Sequence, residues 1–231
     1  MLCVVVAKEG DYPYFAQADI NGSMFITLEG LDGSGKTTQV KLLADRLSHE
    51  NHNVLVLREP GGTDIGEKIR KILLDNKTEG MTDISEFLLF SASRSQLVEE
   101  VIKPALEGGM VVICDRFYDS STAYQGWGRR LPLDAVKTIN RCATGGLVPH
   151  LTIFLDIPLA EVERRLQRMR DGKDRMESVG RDFFERVREG YLSIAKEERR
   201  FRIIDATGEI DAIHEEIWKL VEVELLQKAK A

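Results

Sequence analysis

The stretch "GLDGSGKTT", residues 30–38, organises the reading of this chain. Gly30, Gly35, Lys36 and Thr37 satisfy the spacing G-x-x-x-x-G-K-[ST], in which glycines let the backbone curl around an anion. An apolar run, "MFITLE" (24–29), precedes it. Val40, Leu43, Ala44 and Leu47 follow at the i, i+3, i+4, i+7 spacing of a helix with one buried stripe. Strand, glycine loop and helix in that order aim backbone N–H groups and a helix N-terminus at phosphate. Residues 30–38, with Leu31, Asp32, Gly33, Ser34 and Thr38 between the motif positions, are thus a nucleotide phosphate site. In such a loop Lys36 reaches the terminal phosphates and Thr37 ligates Mg²⁺.

Four further apolar runs extend the pattern: "VLVLRE" (54–59), "MVVICD" (110–115), "LTIFLD" (151–156) and "FRIIDA" (201–206). Each reads as a strand buried on both faces, and Ile213, Ile217, Leu220 and Val221 repeat the helical stripe near the end. Strands alternating with helices predict an α/β fold with a parallel five-stranded sheet covered on both sides. Ligands of such sheets sit beyond the carboxyl ends of the strands. Glu29, Arg58, Glu59, Asp115, Arg116 and Asp156 all fall there.

The 231 residues, 43% hydrophobic and 30% charged, suffice for one compact domain. A net charge of -6 argues against a general binder of nucleic acid or anionic membrane, both of which select a basic excess. Cys3, Cys114 and Cys142 have neither the pairing nor the spacing of a disulfide framework or zinc site, which fits a reducing cytoplasm. His49, His52, His150 and His214 are scattered. Residues 1–23 lack the features of a signal peptide and read as a dispensable extension ahead of a single domain at 24–231.

Several clusters carry two readings each. Asp115 followed by Arg116 is a metal-holding carboxylate beside a phosphate clamp, or a surface ion pair. In "REPGGT" (58–63), Arg58 is a second clamp at a tight turn, or the segment is a turn alone. Phe90 and Arg94, at i and i+4 in "FLLFSASRSQ", form a base-stacking and edge-reading pair, or core and surface positions. "RLQRMRDGKDR" (165–175) is a basic lid over phosphates, or a solvated face.

Together, the loop at 30–38, "REPGG", "FSASR", "DRF" followed by "SSTAYQG" (120–126), "DRME" (174–177) and "IDAT" (204–207) resemble thymidylate kinases of the bacterial type, across residues 24–228. The resemblance implies the P-loop NTPase fold of nucleoside monophosphate kinases, transfer of the ATP γ-phosphoryl to dTMP with Mg²⁺, a homodimer, and a lid at about 165–177. Carried onto matching positions, it implies that Arg58 and Arg116 grip the acceptor phosphate and that Phe90 stacks on thymine. Arg94, Ser121 and Gln125 then meet the thymine edge, Arg70 lies on the base side, Asp32 contacts the sugar 3'-hydroxyl, and Tyr124 crowds the 2' position. Arg170 matches the lid arginine, with Arg168 next. Phe117 replaces the usual tyrosine of "DRF", and Ser121 stands where some relatives carry asparagine or threonine. Two rivals remain: a kinase for another nucleoside or nucleoside monophosphate, and a nucleotide-dependent switch. "NKTE" (76–79) is only superficially like a guanine-reading motif.

Overall fold

A computed structural model describes residues 23–168 and 180–228, the side chain of Arg168 excepted. Residues 1–22 of the expected extension, and most of the expected lid with Arg170, lie outside the described residues.

The described strands β1 (Met24–Glu29), β2 (Val54–Arg58), β3 (Val111–Asp115), β4 (Leu151–Asp156) and β5 (Phe201–Asp205) form one parallel sheet in the order β2-β3-β1-β4-β5. β1, β3 and β4 are buried along almost their whole length, as their unbroken apolar runs require. The expectation of burial on both faces fails for β2 and β5. These are the sheet edges, where Val56 and Ile203 remain 40% and 50% exposed.

Helix α1 (Lys36–His49) buries Val40, Leu43 and Leu47 and packs beside α9 (Ile210–Lys228), which buries Ile213, Ile217, Trp218 and Val221. On the other side of the sheet, Phe25, Val112 and Cys114 pack with Leu97, Val98 and Ile102. Those last three belong to α3 (Asp83–Leu97) and to the π-type turn Val98–Ile102 that leads into α4 (Lys103–Glu107).

Helix α2 (Asp64–Leu74) starts where the Thr63 side chain accepts the Gly66 N–H at 2.9 Å, and α3 starts at an equivalent Thr82 cap on Ser85. Between β3 and β4 come α5 (Tyr118–Ser121), a π-type segment Thr122–Gly128 and α6 (Leu133–Thr144). After β4 follow α7 (Leu159–Arg168) and α8 (Arg181–Glu197). With β1 in the sheet centre, the glycine loop opens at the crevice that this topology leaves for a ligand.

Candidate active site

A single cavity of about 1340 Å³ runs from the glycine loop across the carboxyl ends of β2 and β3 to α3 and the π-type segment. Residues 31–38 line it, as do Arg58, Arg70, Phe90, Arg94, Asp115, Arg116, Ser121, Tyr124 and Gln125, whereas Gly30 and the strand-end residues Glu29 and Asp156 do not.

The loop supplies the cradle. Gly30 has φ 145°, and a Cβ there would lie 2.8 Å from the Leu155 carbonyl oxygen and 2.9 Å from Ser34 Oγ, so glycine is required for the approach. Gly35, at φ 96°, opens α1 without a side-chain cap, leaving the helix N-terminus to an anion. Lys36 Nζ donates to the Gly30 and Leu31 carbonyls at 3.0 and 2.9 Å. Its burial, with Arg116 nearby, lowers the ammonium's proton affinity. Thr37 Oγ1 donates to Asp115 Oδ2 at 3.0 Å, so the two expected metal ligands meet across 78 residues of sequence.

Arg116 sits at φ 71°, a left-handed conformation costly for a side chain of this kind, just past the end of β3. Its Nη2 donates to Asp32 Oδ1 at 2.6 Å, and its guanidinium lies 5.1 Å from the centre of the Tyr124 ring. Burial pushes the Asp32 carboxyl upward, but Arg116 and Lys36 together hold it below the ordinary aspartate value. Arg58 is half exposed and pairs with both oxygens of Glu67 at 3.1 Å. Arg70 Nη1 donates to the Pro60 carbonyl at 2.9 Å, which draws it over the "EPGG" turn.

At the far end, Phe90 is partly exposed to the cavity, while Arg94 on the same face of α3 is only 1% exposed. The ring thus stands at the cavity wall and the guanidinium, not a surface position, at its floor. Arg94 Nε donates to Glu59 Oε2 at 2.8 Å, Nη1 to Asn140 Oδ1 at 3.1 Å, and Nη2 to Ser121 Oγ at 2.9 Å and, more weakly, to the Phe117 carbonyl at 3.5 Å. Four contacts leave one of the five N–H groups for a ligand. Ser121, Tyr124 and Gln125, at i, i+3 and i+4, share the inner face of the widened helix. Gln125 Nε2 donates to Glu86 Oε1 at 3.0 Å, and Arg129 holds Glu86 Oε2 at 3.0 Å. The Gln125 carbonyl oxygen is therefore the end left to receive a donor.

Tertiary packing brings in partners whose contacts the sequence does not reveal. Glu59 and Asn140 fix Arg94; Glu86 fixes Gln125; and Arg165 Nη1 reaches the Gly33 carbonyl at 3.2 Å. Burial pushes the Glu59 carboxyl up to about 7 despite Arg94. Glu29, at the end of β1, is likewise pushed to about 7, chiefly by burial and then by the Asp119 charge. Glu29 and Glu59 each announced themselves only as charged residues closing apolar runs. Glu86 and Asn140 carried no comparable signal, whereas Arg165 opens the basic segment at 165–175.

A family model described as Thymidylate kinase matches residues 28–217. The chain belongs to the thymidylate kinase family. It is 50% identical over 209 residues to a thymidylate kinase of Caldanaerobacter subterraneus subsp. tengcongensis, spanning 89% of this chain and 98% of that one. A thymidylate kinase of Kosmotoga olearia is 49% identical over 198 residues, or 85% and 94% of the two chains. The crystal structure of thymidylate kinase from Ehrlichia chaffeensis superposes with a TM-score of 0.71 at 37% identity, covering 87% of this chain and 99% of that one. The thymidylate kinase fold thus accounts for the parallel sheet and for the loop that follows its central strand.

Proposed function

We propose that the chain transfers the γ-phosphoryl group of ATP to dTMP, giving dTDP and ADP. One observation carries the reading: the glycine loop shares an uninterrupted cavity with Phe90, Arg94 and Gln125, with Arg116 between the two ends. ATP phosphates then lie on the loop, and the acceptor base lies against Phe90. Thymine offers one N–H between two carbonyls along its pairing edge, which matches the remaining Arg94 donor and the Gln125 carbonyl oxygen. Arg58 and Arg116 meet the acceptor phosphate, Arg70 lies on the base side, Asp32 faces the sugar 3'-hydroxyl, and Tyr124 closes the 2' side against ribose.

Phosphoryl transfer of this kind is governed by positioning and by charge spread over the moving group. The acceptor phosphate is already anionic, so no general base is required. Lys36 exchanges its two carbonyl partners for the terminal phosphates, and Arg116 lies where donor and acceptor phosphates meet. Thr37 and Asp115 offer oxygen donors alone, the chemistry that suits Mg²⁺. Among the described residues no group of three or more His, Cys, Asp or Glu side chains could hold a metal, in keeping with an ion carried largely by substrate phosphates. Thr37 and Asp115 would hold Mg²⁺, which would supply positive charge against the phosphates.

A homodimer is supported by one apolar face: Ile65 and Ile72 on α2, with Ile84 and Leu88 on the adjoining α3, are each 44–50% exposed. No helix among the described residues is long and apolar enough to cross a membrane, and a cytoplasmic setting suits the substrates and the thiols. An ADP-coupled assay with ATP and a panel of nucleoside monophosphates tests the assignment. Preferred turnover of dTMP is expected. Preference for another acceptor overturns the choice of base, and hydrolysis indifferent to every acceptor overturns the kinase reading in favour of a switch.

A further inference from the structure

Glu29 does not line the cavity, yet it is fully buried one layer behind it. One carboxylate oxygen accepts the Phe117 backbone N–H at 2.7 Å; the other accepts the Ser120 hydroxyl at 2.5 Å and the Tyr191 hydroxyl at 3.0 Å. Those two hydroxyl oxygens face Arg116 Nη1 at 3.2 and 3.5 Å. A hydroxyl has one proton and two lone pairs. The two oxygens also lie 2.9 Å apart, so one hydroxyl donates to Glu29 and the other to its neighbour or to Glu29, and each oxygen keeps a lone pair for the guanidinium. The same carboxylate anchors the N–H immediately after the left-handed Arg116 backbone. Three further elements thus meet β1 at one acid: the turn after β3 through Phe117, α5 through Ser120, and α8 through Tyr191.

We propose that Glu29 is a positioning residue for the acceptor-phosphate grip, orienting the hydroxyls of Ser120 and Tyr191 so that they hold the Arg116 fork ready for the dTMP phosphate. A carboxylate is specifically needed, because it accepts from all three donors at once. Glutamine has nearly the same shape, and its amide oxygen can keep the Phe117 N–H. Its NH₂ end, however, confronts Ser120 and Tyr191 with a donor. At least one hydroxyl must then turn its proton toward Arg116, replacing attraction by repulsion. Removing the Tyr191 hydroxyl alone leaves Ser120 in place and weakens the grip less.

The inference rests on the dTMP kinase reading, and wild-type turnover of dTMP is the control that separates the two. Glu29→Gln, Tyr191→Phe and their combination are compared with wild type at pH ~8. The readouts are kcat, KM for each substrate, and calorimetric binding of dTMP in the absence of ATP. Loss of charge-assisted bonding should weaken dTMP binding about tenfold or more in Glu29→Gln and a few-fold in Tyr191→Phe, with KM for ATP within about twofold. Because both act through one path, the combination should be no worse than Glu29→Gln by more than about twofold. Unchanged dTMP binding, equal losses for ATP and dTMP, or fully additive effects would each overturn the proposal. Should Glu29→Gln fail to fold, Tyr191→Phe with Ser120→Ala carries the test, since the ring remains stacked on Phe154 at 4.7 Å. Wild-type dTMP affinity in that pair rejects the role. If wild type prefers another monophosphate, the assignment of the base fails, and the same binding comparison with that nucleotide still decides the role of Glu29.

Discussion

Arg94 Nε lies 2.8 Å from Glu59 Oε2, with the two side chains only 1% and 3% exposed. The residues are 35 apart in sequence, one on α3 and the other just beyond β2. Taking both charges out of water is expensive, and Glu59 Oε1 is buried without a hydrogen-bond partner among the described residues. Such a pair adds little net stability but holds a planar fork in one orientation. At the cavity floor, that orientation is what a base reader requires.

Arg94→Ala is therefore expected to act twice. It strands the Glu59 carboxyl without a counter-charge, costing about 3–5 kcal/mol of stability by chemical denaturation. It should also lower kcat/KM for dTMP roughly tenfold or more while ATP binding holds. Arg94→Lys should not restore the kinetics, because a point charge cannot satisfy the acceptors arranged around the fork. Equal losses toward both substrates would remove Arg94 from the base site.

Glu29 predicts a pH dependence of stability. Its folded-state pKa is raised from the ordinary 4.5 to about 7, so the folded chain binds more protons than the unfolded chain between these values. The protonated form contributes stability that is fully present below pH 4.5 and is lost as pH rises through 7. At about 1.4 kcal/mol per unit, the loss amounts to about 3 kcal/mol. Urea titrations of wild type and Glu29→Gln at several pH values should show the wild type losing stability relative to the variant across this window. Asp32, with its pKa lowered, titrates below the window and does not mask the difference. Parallel curves would mean that Glu29 stays ionised throughout.

The basic segment after α7 remains a sequence expectation, since Arg170 lies outside the described residues. An arginine brought to the transferring phosphoryl contributes several powers of ten in rate. Arg170→Ala should lower kcat sharply with little change in KM for dTMP, the signature of an interaction made chiefly in the transition state. If Arg170→Ala and Arg168→Ala both keep wild-type kcat, the charge comes from elsewhere, and Arg165, already at the Gly33 carbonyl, is the next candidate.

The apolar face on α2 and α3 yields an assembly prediction. Ile72 and Leu88 are 47% and 50% exposed, so a charge at either site should cost the isolated subunit little. Ile72→Glu with Leu88→Glu should convert a dimer into a folded monomer, read by light scattering with circular dichroism. A wild-type chain that is monomeric at all accessible concentrations would reject the interface.

Everything legible from the sequence is local in the chain. The glycine loop, the apolar runs and the helical stripes at 40–47 and 213–221 depend on spacings of a few residues, which periodicity reveals directly. Arg58, Asp115 and Arg116 were readable for the same reason, because a charge closing a buried strand lies at the ligand edge of a parallel sheet. Burial of whole strands was not readable: β2 has the same apolar run as β3, and only the order β2-β3-β1-β4-β5 leaves it at an edge. Nor were the partners that orient the site. Glu29 meets Tyr191 across 162 residues, and Arg94 meets Asn140 across 46. Hydrogen bonds of that kind, and the pKa shifts that burial imposes, depend on which groups packing brings together and how completely it removes water. The amino-acid order marked the glycine loop and the charged strand ends; the tertiary structure decided which groups, distant in sequence, hold Arg94 and Arg116 in place.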